Sequence, residues 1–373
     1  MNTFIPVENG DALDAVRGFL RKLMDDQVVD AVFCSLRTDG GKVYPSVVTD
    51  SSHLNQADPL TPVMTINGAR AVSSLTRSGD QMRLAAVLRP CEIRGLLELV
   101  KLKQASLENT TIISVDCPGT YEAVEFYEFD ERGKFGLSEF LQSASRLDGV
   151  GIEGLELREA CQMCTQPVPE HTDIHLHLFG FDTSENIPVT ASDKLKAALE
   201  FLGENEAKPE GISTDLQEML AVRQENRQGK MAEIQAQIDS DGGFCDLFDT
   251  CIRCHNCMTV CPICYCKTCL FRTQAFDHPP EHYYGAARRK GALRMLPDTI
   301  LFHLTRLNHM GLSCVSCGMC TSACPMDIPV GAIFTTIGSK VQAAFDYSPG
   351  LNIEEPIPLT TFKADEWTTI GES

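Results

Sequence analysis

Two cysteine runs of identical spacing constrain the fold of this chain more than any other feature. Each run follows Cys-x2-Cys-x2-Cys-x3-Cys-Pro, first over residues 251–262 and again over residues 314–325. Bacterial ferredoxins hold two 4Fe-4S clusters with this spacing, and the fourth cysteine of each run ligates the cluster of the other run. We therefore expect one cluster on Cys251, Cys254, Cys257 and Cys324, and a second on Cys314, Cys317, Cys320 and Cys261.

Disulfides and zinc are the competing uses of so many thiols. The chain has 17 cysteines, which is an odd number. Residues 1–23 form an amphipathic pattern without the basic start and apolar core of a signal peptide. This predicts a cytoplasmic protein, and disulfides are rare in the cytoplasm. Zinc ribbons use paired Cys-x2-Cys and seldom a triple followed by Cys-Pro, so iron–sulfur clusters are favoured over a zinc-binding scaffold.

Composition excludes several classes of function. The chain has 373 residues and a formal net charge of −19. Nucleic acids and anionic membranes would repel such a surface. No apolar run is long enough to cross a bilayer, so no membrane span is expected. No G-x-G-x-x-G or Walker motif occurs in the sequence, so fingerprint-type nucleotide binding has no support.

The first half of the chain carries the pattern of an α/β fold. Residues 83–90 and 110–119 have the apolar and β-branched composition of strands, and residues 91–104 have apolar side chains at helical spacing. A strand–helix–strand succession of this length predicts a βαβ unit. Upstream, two apolar segments flank Asp39-Gly40-Gly41 and predict a β-hairpin.

These patterns divide the chain into four predicted regions. They are an α/β (α+β) domain over 1–200, a helical connector over 201–243, a mainly α-helical two-cluster ferredoxin-like domain over 244–335 and a carboxyl-terminal tail over 336–373. The weak apolar stripe of the connector leaves a partner-docking helix as an alternative. In the cluster domain, a helix ended by Gly311 is expected to bury Ile300, Leu304 and Leu307 on one face.

Four further cysteines occupy positions that a βαβ unit could bring together. Cys91 lies where the first strand meets the helix, and Cys117 ends the second strand. The carboxyl ends of parallel strands lie at one edge of a sheet, where ligands bind in such folds. Cys161 and Cys164 form a Cys-x2-Cys pair that could complete a four-thiolate site at this edge, and spacing alone leaves that site open.

The other cysteines and two histidines allow more than one interpretation. Three cysteines directly follow the first run: Cys264, Cys266 and Cys269. They either pack as buried thiols near a cluster or serve to buffer, assemble or ligate one. Cys34 and Cys245 stand alone and are interpreted as structural. His175 and His177 alternate on a predicted strand, where a plain strand pair is favoured over a metal site.

Three segments of the first half are recognisable in combination. RPCEIRGLLELVKL, SVDCPGT and CQMCTQPVPEHTDIHLHLFG resemble the β-subunit family of deazaflavin (coenzyme F420) hydrogenases and dehydrogenases. That family carries P-C-x4-L, a strand ending in Cys, and Cys-x2-Cys before A-D-I, where Thr172 replaces the alanine here. CPICYCKTC and FHLTRLNHM further resemble the β subunits of deazaflavin-dependent formate dehydrogenases. The resemblance spans about residues 60–350.

The resemblance implies a flavoprotein whose first domain holds FAD beside a third 4Fe-4S cluster. The implied ligands of that cluster are Cys91, Cys117, Cys161 and Cys164. The resemblance does not place FAD residue by residue. A glycine-led helix start suits a pyrophosphate and arginines suit phosphate or reduced flavin, although ordinary loop or surface roles stay open for each residue. The candidates for FAD binding are Gly68, Arg70, Ser73, Arg89, Arg94, Asp173 and Gly180.

The resemblance also implies an electron-transfer subunit of a multi-subunit oxidoreductase. FAD exchanges electron pairs, whereas each cluster carries one electron. The implied partners are a catalytic molybdenum or tungsten dehydrogenase-type subunit, which would perform the formate chemistry, and a soluble deazaflavin or nicotinamide carrier. The alternative is a non-enzymatic iron–sulfur relay that docks onto a heterodisulfide-reductase-type complex and contains no flavin. No catalytic residue is assigned to this chain.

Overall fold

The amino-terminal part of the protein is built on one mixed β-sheet. The computed structural model describes residues 1–77, 82–147, 152–203, 214–293, 295–296, 298–358 and 360. The strands are β1 Asn2–Pro6, β2 Ala31–Arg37, β3 Val43–Val48, β4 Leu84–Leu88, β5 Thr110–Val115, β6 Ile174–Leu176 and β7 Asn186–Ala191. Their order in the sheet is β1-β7-β6-β5-β4-β2-β3. Strands β2, β4, β5 and β6 run parallel, and the pairings at the two ends of the sheet are antiparallel.

Helices surround the sheet and form most of the carboxyl-terminal part. Among the described residues they are α1 Ala12–Asp25, α2 Gly68–Thr76, α3 Pro90–Lys101, α4 Ala123–Glu131, α5 Leu137–Arg146, α6 Glu159–Gln162, α7 Thr214–Ile238, α8 Gly243–Asp246, α9 Asn256–Thr259, α10 Pro280–Lys290, α11 Thr299–Met310, α12 Met319–Ser322 and α13 Val330–Ala344. The predicted division into a mixed α/β part and a helical part is confirmed at this level. Within the stretches described, no helix is long and apolar enough to cross a membrane.

The predicted βαβ unit is β4–α3–β5. Strand β4 is almost continuously apolar and mostly buried, as is typical of a central parallel strand. Pro90 occupies the first turn of α3, where a backbone N–H is not needed. The N–H of Arg89 donates to Oε2 of Glu92 at 2.8 Å, which caps the start of the helix. These local preferences place Cys91 at the carboxyl end of β4. The predicted hairpin is also present, as β2 paired with β3.

The two parts of the protein share a hydrophobic core. One core lies under α1 and includes Leu20 and Ile113. The other includes Leu97 of α3, Phe302 of α11 and Ile333 of α13. Because burial of such side chains is the main stabilising contribution in folding, the shared core holds the helical part against the sheet.

The domain boundaries predicted from the sequence stay predictions. Helix α13 spans the predicted boundary between residues 335 and 336. Part of the predicted tail lies outside the described residues. The described part packs against the first half of the chain, because Tyr347 is buried and donates its hydroxyl to Glu98 at 2.6 Å. The N–H of Gly350 donates to the same carboxylate at 2.9 Å.

The predicted apolar face of α11 is partly wrong. Leu307 is buried as expected, but the side chain of Leu304 is 49% exposed. The buried face instead carries Phe302, His303 and Arg306. The physical reason is that this face packs beside the cysteines of the first run, where polar and cationic side chains meet sulphur atoms. Hydrophobic spacing alone therefore selected the wrong side of the helix.

Candidate cysteine centres

The two ferredoxin-type runs fold as structural repeats. In the first run Arg253 and His255 have φ angles of 53° and 63° ahead of α9. In the second run Ser316 and Gly318 have φ angles of 58° and 71° at the corresponding positions ahead of α12. These left-handed residues turn the chain tightly, and the N–H of Arg253 points at Sγ of Cys251 at 3.4 Å. Backbone donors aimed at sulphur are what a thiolate-held cluster needs.

Cys324 lies with the three leading cysteines of the first run. Burial raises the pKa of Cys257 to about 11, Arg306 opposes that rise, and Cys251, Cys254 and Cys324 add to it. Because electrostatic influence falls with distance, these effects place the four sulphur atoms in one neighbourhood. The structure thus brings together the first predicted set, including the ligand expected to cross from the other run.

Cys261 lies with the second run in the same way. Burial raises the pKa of Cys314 to about 12, the N–H of Ser316 opposes that rise, and Cys261 and Cys317 add to it. Burial also raises the pKa of Cys320, and Cys317, Cys261 and Cys314 add to that rise. These influences place Cys261 near the cysteines of the second run, in keeping with the crossed arrangement predicted from spacing. Cluster ligation by these eight cysteines stays a prediction.

The third set of cysteines lines a single cavity. Cys91 and Cys117 follow the parallel strands β4 and β5 at the same sheet edge, and Cys161 and Cys164 approach from α6. All four line one cavity, together with Cys317 of the second set. Four half-buried thiols from three separate segments form a donor set suited to an iron–sulfur cluster.

Buried arginines surround the third set. Arg89 places Nη1 4.0 Å from Sγ of Cys117, and Arg223 of α7 donates to the carbonyl of Pro118 at 2.6 Å. Arg158 is only 3% exposed and donates to the carbonyl of Cys317 at 2.8 Å. Guanidinium groups removed from water need anionic partners, and a thiolate-held cluster carries net negative charge.

One orphaned donor supports this interpretation. Nη1 of Arg223 is buried and has no hydrogen-bond partner among the described residues. Arg223 lines the cavity that the four cysteines share. A buried guanidinium N–H rarely stays unsatisfied, so the cavity suits an acceptor that the polypeptide does not supply. The residues of the third set therefore fit an iron–sulfur cluster.

Arg306 and His303 of α11 contact the first set. Nη1 of Arg306 donates to Sγ of Cys257 at 3.0 Å, and Nε2 of His303 lies 3.4 Å from Sγ of Cys251. Burial lowers the pKa of His303 to about 3, with Arg306 and His255 lowering it further, so the ring is neutral near pH 7. A neutral ring with its proton on Nε2 donates a hydrogen bond to a thiolate at Cys251.

Sequence reasoning singled out Arg89 but missed Arg158, Arg223, Arg306 and His303. For His303 and Arg306 the sequence did offer a signal. It was a histidine followed three residues later by an arginine, on a predicted helix beside the cysteine runs. For Arg158 and Arg223 the sequence offers no local signal, because both lie in charge-rich segments that resemble a solvated surface. Their burial depends on how distant segments pack.

A cleft opens on the other side of the third set. Cys91 and Cys164 line it together with Cys314 of the second set. Arg94 and Arg227 also face this cleft. Burial lowers the pKa of Arg227 and the charge of Arg94 lowers it further, which shows that the two guanidinium groups are neighbours. Two cations side by side beside two sets of cysteines suit an anionic ligand.

The seven candidate residues for FAD fall into separate neighbourhoods. The N–H of Gly68 is occupied by Oε1 of Glu92 at 2.7 Å, so the start of α2 does not offer it to a pyrophosphate. A Cβ at Gly68 would press against Leu88 and Phe33, which explains the glycine by packing. Ser73 is buried and donates to the carbonyl of Gln104 at 2.8 Å.

The other five candidates are also dispersed. Asp173 precedes β6 and accepts the N–H of Ile112 at 2.8 Å, at the sheet edge opposite to the third set. Gly180 has a φ of 81° in a turn. Arg70 reaches the carbonyl of Thr259 at 2.6 Å, beside the first run. Arg89 and Arg94 remain beside Cys91. As a group the seven do not fit one FAD site.

The two histidines meet a carboxylate. The rings of His175 and His177 lie 3.8 Å apart, and Nε2 of His175 is 2.8 Å from Oδ1 of Asp116. Within the described residues, this trio has its ligand atoms all within 4.8 Å of one another. Oδ2 of Asp116 accepts the N–H groups of Leu178 and Phe179 at 2.9 and 3.1 Å. These hydrogen bonds favour a structural role for Asp116, which holds the turn after β6 in place. A metal site at this position stays untested.

Comparisons with known proteins agree with the sequence resemblance. Residues 247–328 match the 4Fe-4S dicluster domain family, which confirms a ferredoxin-type iron–sulfur region. The chain is 25% identical to the F420-dependent formate dehydrogenase subunit beta of Methanocaldococcus jannaschii, over 92% of this chain and 93% of the relative. It is 26% identical to the F420-dependent formate dehydrogenase 1 subunit beta of Methanococcus maripaludis, over 95% and 94%. The predicted resemblance is therefore confirmed.

A solved structure with a similar chain comes from the F420-reducing NiFe hydrogenase complex of Methanosarcina barkeri. The match has a TM-score of 0.44 and 10% sequence identity, and covers 65% of this chain and 94% of that chain.

Proposed function

We propose that this chain, which resembles β subunits of F420-dependent formate dehydrogenases along most of its length, is the electron-transfer subunit of a multi-subunit oxidoreductase. Its cysteines would hold three 4Fe-4S clusters, and electrons would pass between a catalytic partner and a two-electron carrier. The observation that carries this proposal is the contiguity of the three cysteine sets. Cys317 of the second set lines the cavity of the third set.

Arg306 supports the view that the first and second cysteine sets are also neighbours. It donates to Cys257 of the first set, and the charges of Cys257, Cys261 and Cys320 raise its pKa against the lowering effect of burial. Arg306 therefore lies between the first and second sets. The order first set, second set, third set follows, because Arg306 lies near the first two sets and Cys317 of the second set lines the cavity of the third. Such an order suits single electrons that move from one iron–sulfur centre to the next.

The polypeptide would stabilise these centres in three ways. The paired cysteine loops direct backbone N–H groups at sulphur, as at Arg253. The buried arginines offset negative charge where water cannot, as Arg158 does at the third set. The shared hydrophobic core packs beside the sets and holds the segments that carry them together. Charge, hydrogen bonds and exposure are the properties by which proteins tune cluster potentials.

A flavin belongs to the proposal through the resemblance. FAD would exchange an electron pair with a carrier and single electrons with clusters. The residues first chosen for it do not converge, so we assign it to the cleft beside the third set. Arg94 and Arg227, which line this cleft, would hold its phosphates. A deazaflavin or nicotinamide would be the soluble carrier.

The partners follow from what this chain is proposed to carry. We assign formate or analogous substrate chemistry to a separate molybdenum or tungsten dehydrogenase-type subunit. A heterodisulfide-reductase-type complex is a second class of partner, and a relay without flavin is the competing function. Flavin content separates the two, because the relay would contain clusters alone.

Anaerobic purification of the full chain with its co-expressed partners tests the proposal. We expect a brown protein with FAD and with paramagnetic iron–sulfur signals that appear on reduction by dithionite. Flavin and clusters should both be reduced when the partner's substrate is added. A colourless protein containing zinc would contradict the proposal, and brown protein without flavin would favour the relay.

A further inference from the structure

Three cysteines lie outside the sets assigned above and surround a cavity of their own. They are Cys264, Cys266 and Cys269, in the segment that follows the first run. The cavity that all three line opens toward solvent, and Cys266 is exposed. A cysteine that serves only as an apolar packing residue is usually buried, so exposed and half-buried thiols around one cavity need another explanation.

Basic side chains line the same cavity. They are Arg70, Lys267 and Arg272. Arg70 donates to the carbonyl of Thr259 at 2.6 Å, and Arg272 donates to the hydroxyl of the same residue. Both guanidinium groups are therefore held at the end of α9 rather than free in solvent. Cations fixed beside three thiols can offset the negative charge that thiolates carry when they bind a metal centre.

The spacing of the sulphur atoms distinguishes a cluster from a single ion. A zinc ion with four thiolates at about 2.3 Å places neighbouring sulphurs about 3.8 Å apart. Among the described residues no three cysteine sulphurs lie mutually within 4.8 Å, so the three thiols do not form a preassembled zinc site. The neighbouring cysteine runs match an iron–sulfur family, which favours a cluster at the three thiols.

The site adjoins the ferredoxin-type sets. The N–H of Cys264 donates to the carbonyl of Cys261, a residue of the second set, at 3.2 Å. The thiol of Cys269 also donates to Sδ of Met258, next to Cys257 of the first set, at 3.6 Å. The cavity therefore lies at the outer side of the two ferredoxin-type sets.

We propose that Cys264, Cys266 and Cys269 hold a fourth iron–sulfur cluster, with one iron that no cysteine ligates and that faces the solvent-open cavity. This inference rests on the proposed iron–sulfur function and adds a centre at the surface of the protein. Its position makes it a place where a partner could exchange electrons with the second set. The cluster would have three thiolates, and water or a small anion would complete the open iron.

Iron counting on the full chain tests the fourth cluster. The triple variant Cys264→Ser, Cys266→Ser, Cys269→Ser is compared with wild type and with Cys245→Ser, which removes an exposed cysteine outside the site. Under anaerobic conditions we expect the triple variant to lose about four iron atoms and about four sulfides per chain. Cys245→Ser should lose none. Equal iron in all three proteins would overturn the proposal, and so would the loss of one zinc instead of iron.

A second measurement, on the wild-type protein, tests the proposal even if the triple variant does not fold. Cyanide is added to reduced wild-type protein, and its electron paramagnetic resonance spectrum is recorded. We expect one signal to shift, because cyanide binds an iron that lacks a cysteine, and that signal should change in Cys266→Ser. A spectrum unaffected by cyanide would overturn the open site. Wild type without iron would refute the proposed function itself, whereas about twelve irons in wild type and triple variant would refute only the fourth cluster.

Discussion

The ferredoxin-type loops and the third cysteine set both present cysteine thiols as donors, but they differ in which parts of the chain supply the thiols. In each loop, three cysteines lie within seven residues, and left-handed backbone at two matching positions shapes the turn. The third set takes Cys91, Cys117 and the Cys161–Cys164 pair from three separate segments. Its geometry depends on a parallel sheet edge, on α6 and on buried arginines. The loops are thus local structures, whereas the third site is a product of tertiary packing.

This difference predicts that substitutions at the two kinds of site destabilise the protein to different extents. A change in the first loop should affect one cluster and disturb the fold less, because Cys251, Cys254 and Cys257 come from one short segment. A change at the third site should disturb the junction between sheet and helical part, because Arg158 joins that site to the carbonyl of Cys317 at 2.8 Å. Four sets of variants test whether the two kinds of site differ in this way.

The largest effect is expected from removing a ligand of the third site. Cys91→Ser should lose about four iron atoms and also lower the midpoint of denaturant unfolding, because the cluster links three segments. Cys254→Ser, in the exposed part of the first loop, should lose as much iron with a smaller change in unfolding. Iron analysis and denaturant unfolding under anaerobic conditions measure both. Equal unfolding midpoints for the two variants would remove the distinction between local and assembled sites.

The next effect concerns buried charge at the third site. Arg158→Met removes a cation that is 3% exposed and lies beside Cys161 and Cys317. Leaving a buried charge without its partner costs about 3–5 kcal/mol, so the variant should unfold at lower denaturant and release the third cluster first. Arg158→Lys keeps the charge and should fall between wild type and Arg158→Met. Wild-type stability of Arg158→Met would contradict the role given to the guanidinium.

A smaller effect is expected where the second loop meets the third site. Gly318 has a φ of 71°, and a Cβ there would collide with the Cβ of Ala160 in α6. Gly318→Ala should cost about 1–2 kcal/mol for the left-handed backbone and about 1–3 kcal/mol for overpacking. Gly291→Ala is the matched control, because its φ is 78° and nothing lies within 4 Å of the added Cβ.

Denaturant unfolding of the two glycine variants gives the readout. Gly318→Ala should be the less stable, and the third cluster should be disturbed before the other two. If Gly291→Ala were destabilised as much as Gly318→Ala, the close approach of the loop to α6 would have no energetic importance.

The smallest effect is expected inside the first set, on potential rather than stability. Arg306→Met removes the donor 3.0 Å from Sγ of Cys257. A hydrogen bond to a charged group contributes about 1.5–3 kcal/mol, which corresponds to roughly 60–130 mV for one electron. Because the lost group is cationic, the reduction potential should become more negative. Arg306→Lys should recover part of the shift in a redox titration, and an unchanged potential in Arg306→Met would contradict this role.

The parts of the structure that depend on local sequence were predictable. Ferredoxin spacing anticipated the crossed grouping of Cys261 and Cys324, because short loops have few ways to fold. The apolar strand that ends at Pro90, followed by helical periodicity, anticipated β4 and α3 and placed Cys91 at the sheet edge. Both signals lie within a few residues of the feature they predict.

The parts that depend on packing between distant segments were not predictable. Arg223 lies in a charge-rich helix and becomes buried only because α7 passes over the third set. On α11 the apolar residues indicated a face containing Leu304, whereas the face carrying His303 and Arg306 packs toward sulphur. Gly68 had the sequence context of a phosphate-binding helix start, yet Glu92 from α3 occupies its N–H. In each case a partner from far along the chain determines the outcome.

We propose that three contiguous sets of four cysteines hold iron. Anomalous-difference maps recorded just above and just below the iron edge, from anaerobically grown crystals, test this proposal. We expect iron density within each set, with Cys324 beside the first cluster, Cys261 beside the second, and a third cluster between Cys91, Cys117, Cys161 and Cys164. Density in those positions that appears only above the zinc edge, or no iron between the four cysteines at the sheet edge, would contradict the proposal.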